Sequence, residues 1–278
     1  MNDETHEAYN LPDFNPGGIE SPKDDRDFKL GKITAPEPHP ARYIPDTTGM
    51  PTYYQGQYPA CGAHSGAYFK VIQESLESGV PQSLSPRYLW SEIKKIDGFD
   101  PRDGTTMRAI LKTLASRGVC DYALLPNTYD LSLNEYTNPP VSEELRKNAH
   151  PRIIQSYAFL DDLSWYGIQN AIWSHKAVLL LLYVDEGFFG TNTPTCKSKK
   201  WGHFVTAYGY DEDSIYIKDS TERNETLSWK KLGKDYLPFV REAGTAVDMK
   251  NIVVENLDMQ VSLLKKLVEL YKKLLTSK

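Results

Sequence analysis

Cysteine is scarce in this chain, with 3 among 278 residues. A count so low and odd excludes a disulfide framework. Long apolar stretches are missing too. The longest purely apolar run, the eight residues Ala177 to Val184, falls far short of the ~20 that span a bilayer. The sequence does not open with basic residues followed by an apolar stretch, so no secretory signal is visible, and reduced thiols in a cytoplasmic setting are the expectation. The net charge of -5 argues against binding held mainly by nucleic-acid phosphates. The phosphate-cradling patterns GxxxxGK(S/T) and GxGxxG do not occur. C-x-x-C and H-E-x-x-H are missing as well, and with six scattered histidines no zinc site is predicted.

What is there is an ordinary globular composition, 40% hydrophobic and 25% charged. Its charge is uneven. Residues 1–54 carry ten acids and five bases, with prolines recurring from Pro12 to Pro51. That composition predicts an extended or disordered N-terminal arm, bounded at residues 1–41. Residues 259–278 hold five lysines against one glutamate. There Leu257, Val261, Leu264, Val268, Tyr271 and Leu275 alternate steps of four and three, predicting an amphipathic helix over 257–278. Docking on its own domain, self-association, and binding to a partner or an anionic membrane all fit the helix Leu257 to Leu275.

The body, 42–256, divides into helices first and strands later. Ser65, Tyr68, Phe69, Ile72 and Leu76 follow Cys61 at helical steps, and Gly79 offers a stop. Ser85-Pro86 opens a second helix. Thr105 or Thr106 caps a third that closes at Gly118, and a fourth runs from Asp162 to about Ser174. Strands are predicted at Arg152–Ala158, Ala177–Val184, Gly202–Tyr210, Ser214–Lys218, Tyr236–Val240 and Thr245–Val254. The order predicts an α+β chain with two lobes, and a cleft between lobes is a natural active site.

Cys61 is the chemical signal. It starts the first helix, where the positive end of the helix dipole favours a thiolate. A lone cysteine is more often buried and inert, so the other residues decide. His203 sits near the start of one predicted strand and Asp219 at the end of the next. A short antiparallel connection through Asp211-Glu212-Asp213 would bring the two side by side, with the acid orienting the imidazole. Gly62-Ala63-His64-Ser65-Gly66 is not a serine-hydrolase elbow, because its serine comes one place too late.

In combination these residues resemble the papain-like cysteine peptidases. Gln55-Gly56-Gln57-Tyr58-Pro59-Ala60-Cys61 has a glutamine six places before the cysteine. Ser83 to Leu89 is similar to the family's second-helix opening. Asp103-Gly104-Thr105-Thr106 and Gly118-Val119-Cys120 are similar to the substrate rim and turn of bacterial and phage members, which leaves a bacterial and a phage-encoded origin both open. His203 to Tyr210 and Lys218-Asp219-Ser220 look like the family's histidine strand and its lysine-asparagine-serine. The resemblance covers roughly 42–254.

It implies a papain-like two-lobed fold, a helical lobe facing an antiparallel β-barrel-like lobe. Cys61 would be nucleophile, His203 general base and acid, Asp219 the orienting group in place of asparagine, and Gln55 the oxyanion donor. Asp103, Gly104 and Gly202 would line the substrate. No metal or organic cofactor is implied; the partner is a protein or peptide substrate. There are departures from the pattern. Thr221 replaces the usual shielding tryptophan, Gly62 follows the cysteine, and His64 reads as a packing or rim residue. They leave open an inactive scaffold that binds a partner, and a transpeptidase or amidase using the same acyl chemistry. The bacteriocin-leader-processing peptidases share part of the pattern, but the 142-residue step from Cys61 to His203 suits the papain-like group better. The N-terminal arm would be a short propeptide over the cleft or a plain tether.

Overall fold

The computed structural model describes residues 15–33 and 38–248. The expected helix at 257–278, and the part of the expected last strand beyond Asp248, lie outside the described residues.

Local signals set the helices. The Cys61 helix spans Cys61–Ser78 and stops at Gly79, whose left-handed backbone (φ 68°) suits glycine. The next helix, Pro86–Ile93, is capped by Ser85, whose hydroxyl accepts from the Tyr88 N–H. Thr106 caps Met107–Arg117 in the same way through the Ala109 N–H. The fourth predicted helix starts later than expected, at Trp165–His175, because Ser164 rather than Asp162 supplies the cap.

The strands form one short parallel pair and one open sheet. Strand β1 (Gly18–Ile19) runs parallel to β2 (Thr105–Thr106). The six remaining strands are β3 (Ile154–Phe159), β4 (Val178–Val184), β5 (Trp201–Tyr210), β6 (Ser214–Lys218), β7 (Trp229–Gly233) and β8 (Val240–Asp248). Their order is β3-β8-β4-β5-β6-β7 and every neighbouring pair is antiparallel. The sheet is not a closed barrel, which corrects the barrel-like lobe expected above: β3 and β7 are edges that do not pair with each other.

Two other expectations shift. Tyr236–Val240 is not a strand; Lys234–Phe239 makes 3-10 turns containing Pro238, which cannot donate to a ladder. Its Tyr236 hydroxyl donates to the Tyr183 carbonyl at 3.0 Å. Strand β7 was not foreseen, because its Trp-Lys-Lys-Leu-Gly run reads as exposed, yet Lys230 within it is fully buried.

One core lies between the sheet and the first three helices, and a second lies under the Trp165–His175 helix. The Cys61 helix is buried over most of its length. Gly62 and Gly66 make its close approach possible. A Cβ at Gly62 would stand 2.6 Å from the Thr105 methyl, and one at Gly66 would stand 2.7 Å from Leu89. The Thr206 hydroxyl on β5 donates to the Ser65 carbonyl at 2.7 Å, tying the helix to the sheet. The N-terminus of that helix thereby sits beside the start of β5.

The described part of the N-terminal arm combines extended backbone at Gly18–Ile19 with a short helix, Leu30–Ile33, and it is docked on the body. Arg241 pairs with Glu20 at 2.8 Å, Ser21 donates to Glu242 through its N–H and hydroxyl, and Arg108 pairs with Asp27 at 2.5 Å. Backbone pairing of Gly18–Ile19 with Thr105–Thr106 and packing of Leu30 on the second core add to these charge-assisted contacts.

Candidate active site

Cys61 is the first residue of its helix and is fully buried. The helix start has no side-chain cap and no acid in its first turn. Its positive end is therefore left to act on the thiol.

The hairpin of β5 and β6 delivers the other two residues. Thr206 pairs with Lys218 in register, which brings His203 beside Asp219. His203 Nε2 lies 2.7 Å from Asp219 Oδ1 with both side chains fully buried. Nε2 is committed to the carboxylate, and Cys61 is close enough to act on the same imidazole. Burial alone would drive the imidazolium to lose its proton. Hydrogen bonds to Asp219 and Cys61, and the charges of both, outweigh that and hold His203 at about 9. Burial likewise disfavours the Asp219 carboxylate, but the His203 bond and charge, the Lys230 charge and the Thr221 hydroxyl together lower its pKa.

Gln55 is buried at the same end of the cleft. Its Oε1 accepts from the Ser220 hydroxyl at 2.8 Å, which fixes which end of the amide points where. Nε2 then donates to the Tyr58 carbonyl at 3.0 Å and to the Asn15 carbonyl of the arm at 3.1 Å. The nucleophile, imidazole, acid and amide expected from sequence are thus brought together.

The expected substrate edge is occupied by the arm. Gly17 O accepts from the Thr105 N–H at 2.9 Å. Gly104 has φ +87°, and a Cβ there would stand 2.1 Å from Gly17 O. A Cβ on Gly202 would stand 2.0 Å from Gly18 O. Both glycines are needed for a peptide backbone to lie this close. Asp103 is different: it ends the turn Pro101–Asp103 on the exposed rim, and its contribution is the shape of that turn.

Several contributors were not legible beforehand. The Phe188 ring meets the His203 ring edge-on at 5.3 Å, and the Thr221 hydroxyl donates to Asp219. Lys94, nearly buried, donates to the Gly104 carbonyl at 2.7 Å and pairs with Asp97 at 2.8 Å, bracing the rim. His64 is a packing residue: its Nδ1 meets the Ala60 carbonyl at 2.9 Å and its Nε2 the Asn127 amide at 2.8 Å. Among the described residues, no group of three or more His, Cys, Asp or Glu is placed to hold a metal ion.

The fold has solved counterparts. Xylellain, a cysteine protease from Xylella fastidiosa, superposes with a TM-score of 0.71 at 18% identity, covering 85% of this chain and 97% of that one. A digestive procathepsin L 3 from Tenebrio molitor gives 0.65 at 15% identity, covering 80% and 74%. The cysteine protease and lectin-like domains of Cwp84 from Clostridium difficile give 0.66 at 15%, covering 83% and 55%. No protein-family model matches the sequence, and no curated protein does. At such identities the likeness speaks of backbone architecture, and on that evidence the chain has the papain-like cysteine protease fold.

Proposed function

We propose that this protein is a cysteine endopeptidase whose N-terminal arm holds it latent. The observation that carries the reading is the grouping of Cys61, His203, Asp219 and the Gln55 amide at one end of a cleft whose edge already receives an extended peptide backbone.

The chemistry follows from the positions. The Cys61 thiolate attacks the scissile carbonyl, and the Gln55 amide with the Cys61 N–H stabilises the oxyanion. His203 gives its proton to the leaving amine. It then acts as base for the water that releases the acyl group, while Asp219 keeps the ring oriented. Peptide recognition rests on backbone pairing at Gly104 and Thr105, a mode that reads an extended chain rather than one side chain.

The latent state is supported by the same edge. Asn15 O takes the Gln55 amide, and Gly17 and Gly18 fill the space between Gly104 and Gly202. A substrate needs that space. The arm before Ala41 is therefore read as a propeptide-like segment rather than a tether.

The test is hydrolysis of a fluorogenic peptide library together with labelling by a thiol-directed epoxide. Protein with its arm displaced is expected to turn over and to label on Cys61, and the same protein carrying Cys61→Ala to do neither. Labelling that persists in Cys61→Ala, or an inert protein with its arm displaced, rejects the peptidase. Transfer of the acyl group to added amines in preference to water would replace hydrolysis with the transpeptidase chemistry.

A further inference from the structure

Asp219 offers one oxygen to His203 and turns the other toward a buried cation. Lys230 Nζ is 3.6 Å from Asp219 Oδ2, and neither side chain has any solvent exposure. The same Nζ lies 3.4 Å from Glu222 Oε1 and donates to the carbonyls of Thr191 at 2.8 Å and Phe188 at 3.3 Å. The Phe188 ring is 5.1 Å from it and 5.3 Å from the His203 ring. Cation, carboxylate and imidazole thus contact one another in turn, with the Phe188 ring against both ends and no solvent exposure.

A buried charge is costly unless paired. A thiolate and an imidazolium balance each other, so a carboxylate beside them leaves the cluster with one uncompensated negative charge. Lys230 supplies the missing positive one. Glu222, partly exposed and also accepting from the Gly190 N–H at 2.7 Å, holds the lysine from the other side.

We propose that Lys230 is a positioning residue for the reaction: it fixes and neutralises Asp219, so that a carboxylate orients His203 without over-binding its proton. The lysine acts through Asp219 and does not touch the substrate. This inference rests on the peptidase reading for its meaning, but not for its test.

The test follows the His203 ring by NMR in the full-length chain carrying carbon-13 histidine, comparing native protein, Lys230→Met, Asp219→Asn and the double variant. The other titratable groups near the pair are Cys61 and His64 by the imidazole, Lys218, Tyr68 and Tyr236 by the carboxylate, and Glu222 by the lysine. They are common to all four proteins. Removing the cation is expected to raise the His203 midpoint by about one pH unit or more, and removing the carboxylate to lower it as much. The double variant is expected to stay as low as Asp219→Asn, because the lysine has no carboxylate left to act through. An unmoved midpoint in Lys230→Met, or a double variant that returns to the native value, overturns the proposal.

Should a single variant fail to fold, thermal stability decides. Compensating charges make the double variant more stable than either single one, whereas a lysine that merely packs the Phe188–Thr191 loop makes it the least stable. Peptide hydrolysis is measured on the same samples. Midpoints that move as stated in a protein that hydrolyses nothing would count against the peptidase and leave the role of Lys230 standing.

Discussion

The side-chain amide of Gln55 donates to the main-chain carbonyl of Asn15 at 3.1 Å, across 40 residues of sequence. The group best placed to stabilise an oxyanion is thus engaged by the chain's own arm. Under the proposed function, activity in the free protein would be limited by the fraction of molecules with the arm displaced.

Gly18→Val tests this without removing the arm. Its Cβ would stand 2.7 Å from Gly202 C and from His203 N, both backbone atoms, while the anchors at Glu242 and Arg108 remain. The segment is expected to lift from the cleft and kcat/KM for a fluorogenic peptide to rise about tenfold or more. Deleting residues 1–35 should act in the same direction. Unchanged rates in both would reduce the arm to a tether.

Gln55→Ala removes the amide donor and is expected to lower kcat by about 10²–10³ with little change in KM. Ser220→Ala leaves the amide but frees its orientation, since the Ser220 hydroxyl holds Gln55 Oε1 at 2.8 Å. Its loss of kcat should be smaller, about tenfold. Steady-state kinetics on one substrate orders the two, and an equal or reversed order would contradict the assigned amide orientation.

The imidazolium of His203 sets an alkaline limit. Its pKa is raised to about 9 from an ordinary 6.5. A raised histidine contributes stability that is fully present below 6.5 and lost as pH climbs through about 9. Thermal unfolding of the native protein should therefore weaken relative to His203→Gln across that window. Hydrolysis should fall with a midpoint near the same upper value.

His64 acts in the opposite direction. Burial depresses it to about 4, against the favourable Ala60 and Tyr54 carbonyl contacts and with His203 adding a small repulsion. Its contribution is present above 6.5 and lost as pH falls toward 4. His64→Ala strands the Asn127 amide and should cost about 1–3 kcal/mol at pH 7, with a flatter stability profile between pH 4 and 6.5. Retained peptidase activity per folded molecule would separate this packing role from a catalytic one.

Much of the site was legible because its signals are local. A cysteine opening an amphipathic stretch, a Ser85-Pro86 cap and a threonine before Met107 each set a helix start within one turn. The meeting of His203 with Asp219 was legible only in part: the short turn brings the two strands together, but a register shift between Ala207 and Gly209 moves the pairing by one residue, and no local pattern announces it. Lys230 shows where that reasoning ends. A lysine in Trp229–Gly233 reads as solvent-facing, and only its buried partners, Asp219 and the Thr191 carbonyl, make it an interior residue.

By itself, then, the sequence determined the α+β order, the helix starts, and the choice of Cys61, His203, Asp219 and Gln55 as the candidate group. These depend on spacing and caps within a few residues. Tertiary structure alone decided that the sheet stays open, that Ser220 orients Gln55, that Lys230 backs Asp219, and that Asn15 to Ile19 lie in the cleft. Those outcomes rest on contacts between segments far apart in the chain, 165 residues in the case of Gln55 and Ser220. Packing and charge pairing fix such contacts, and no local pattern encodes them.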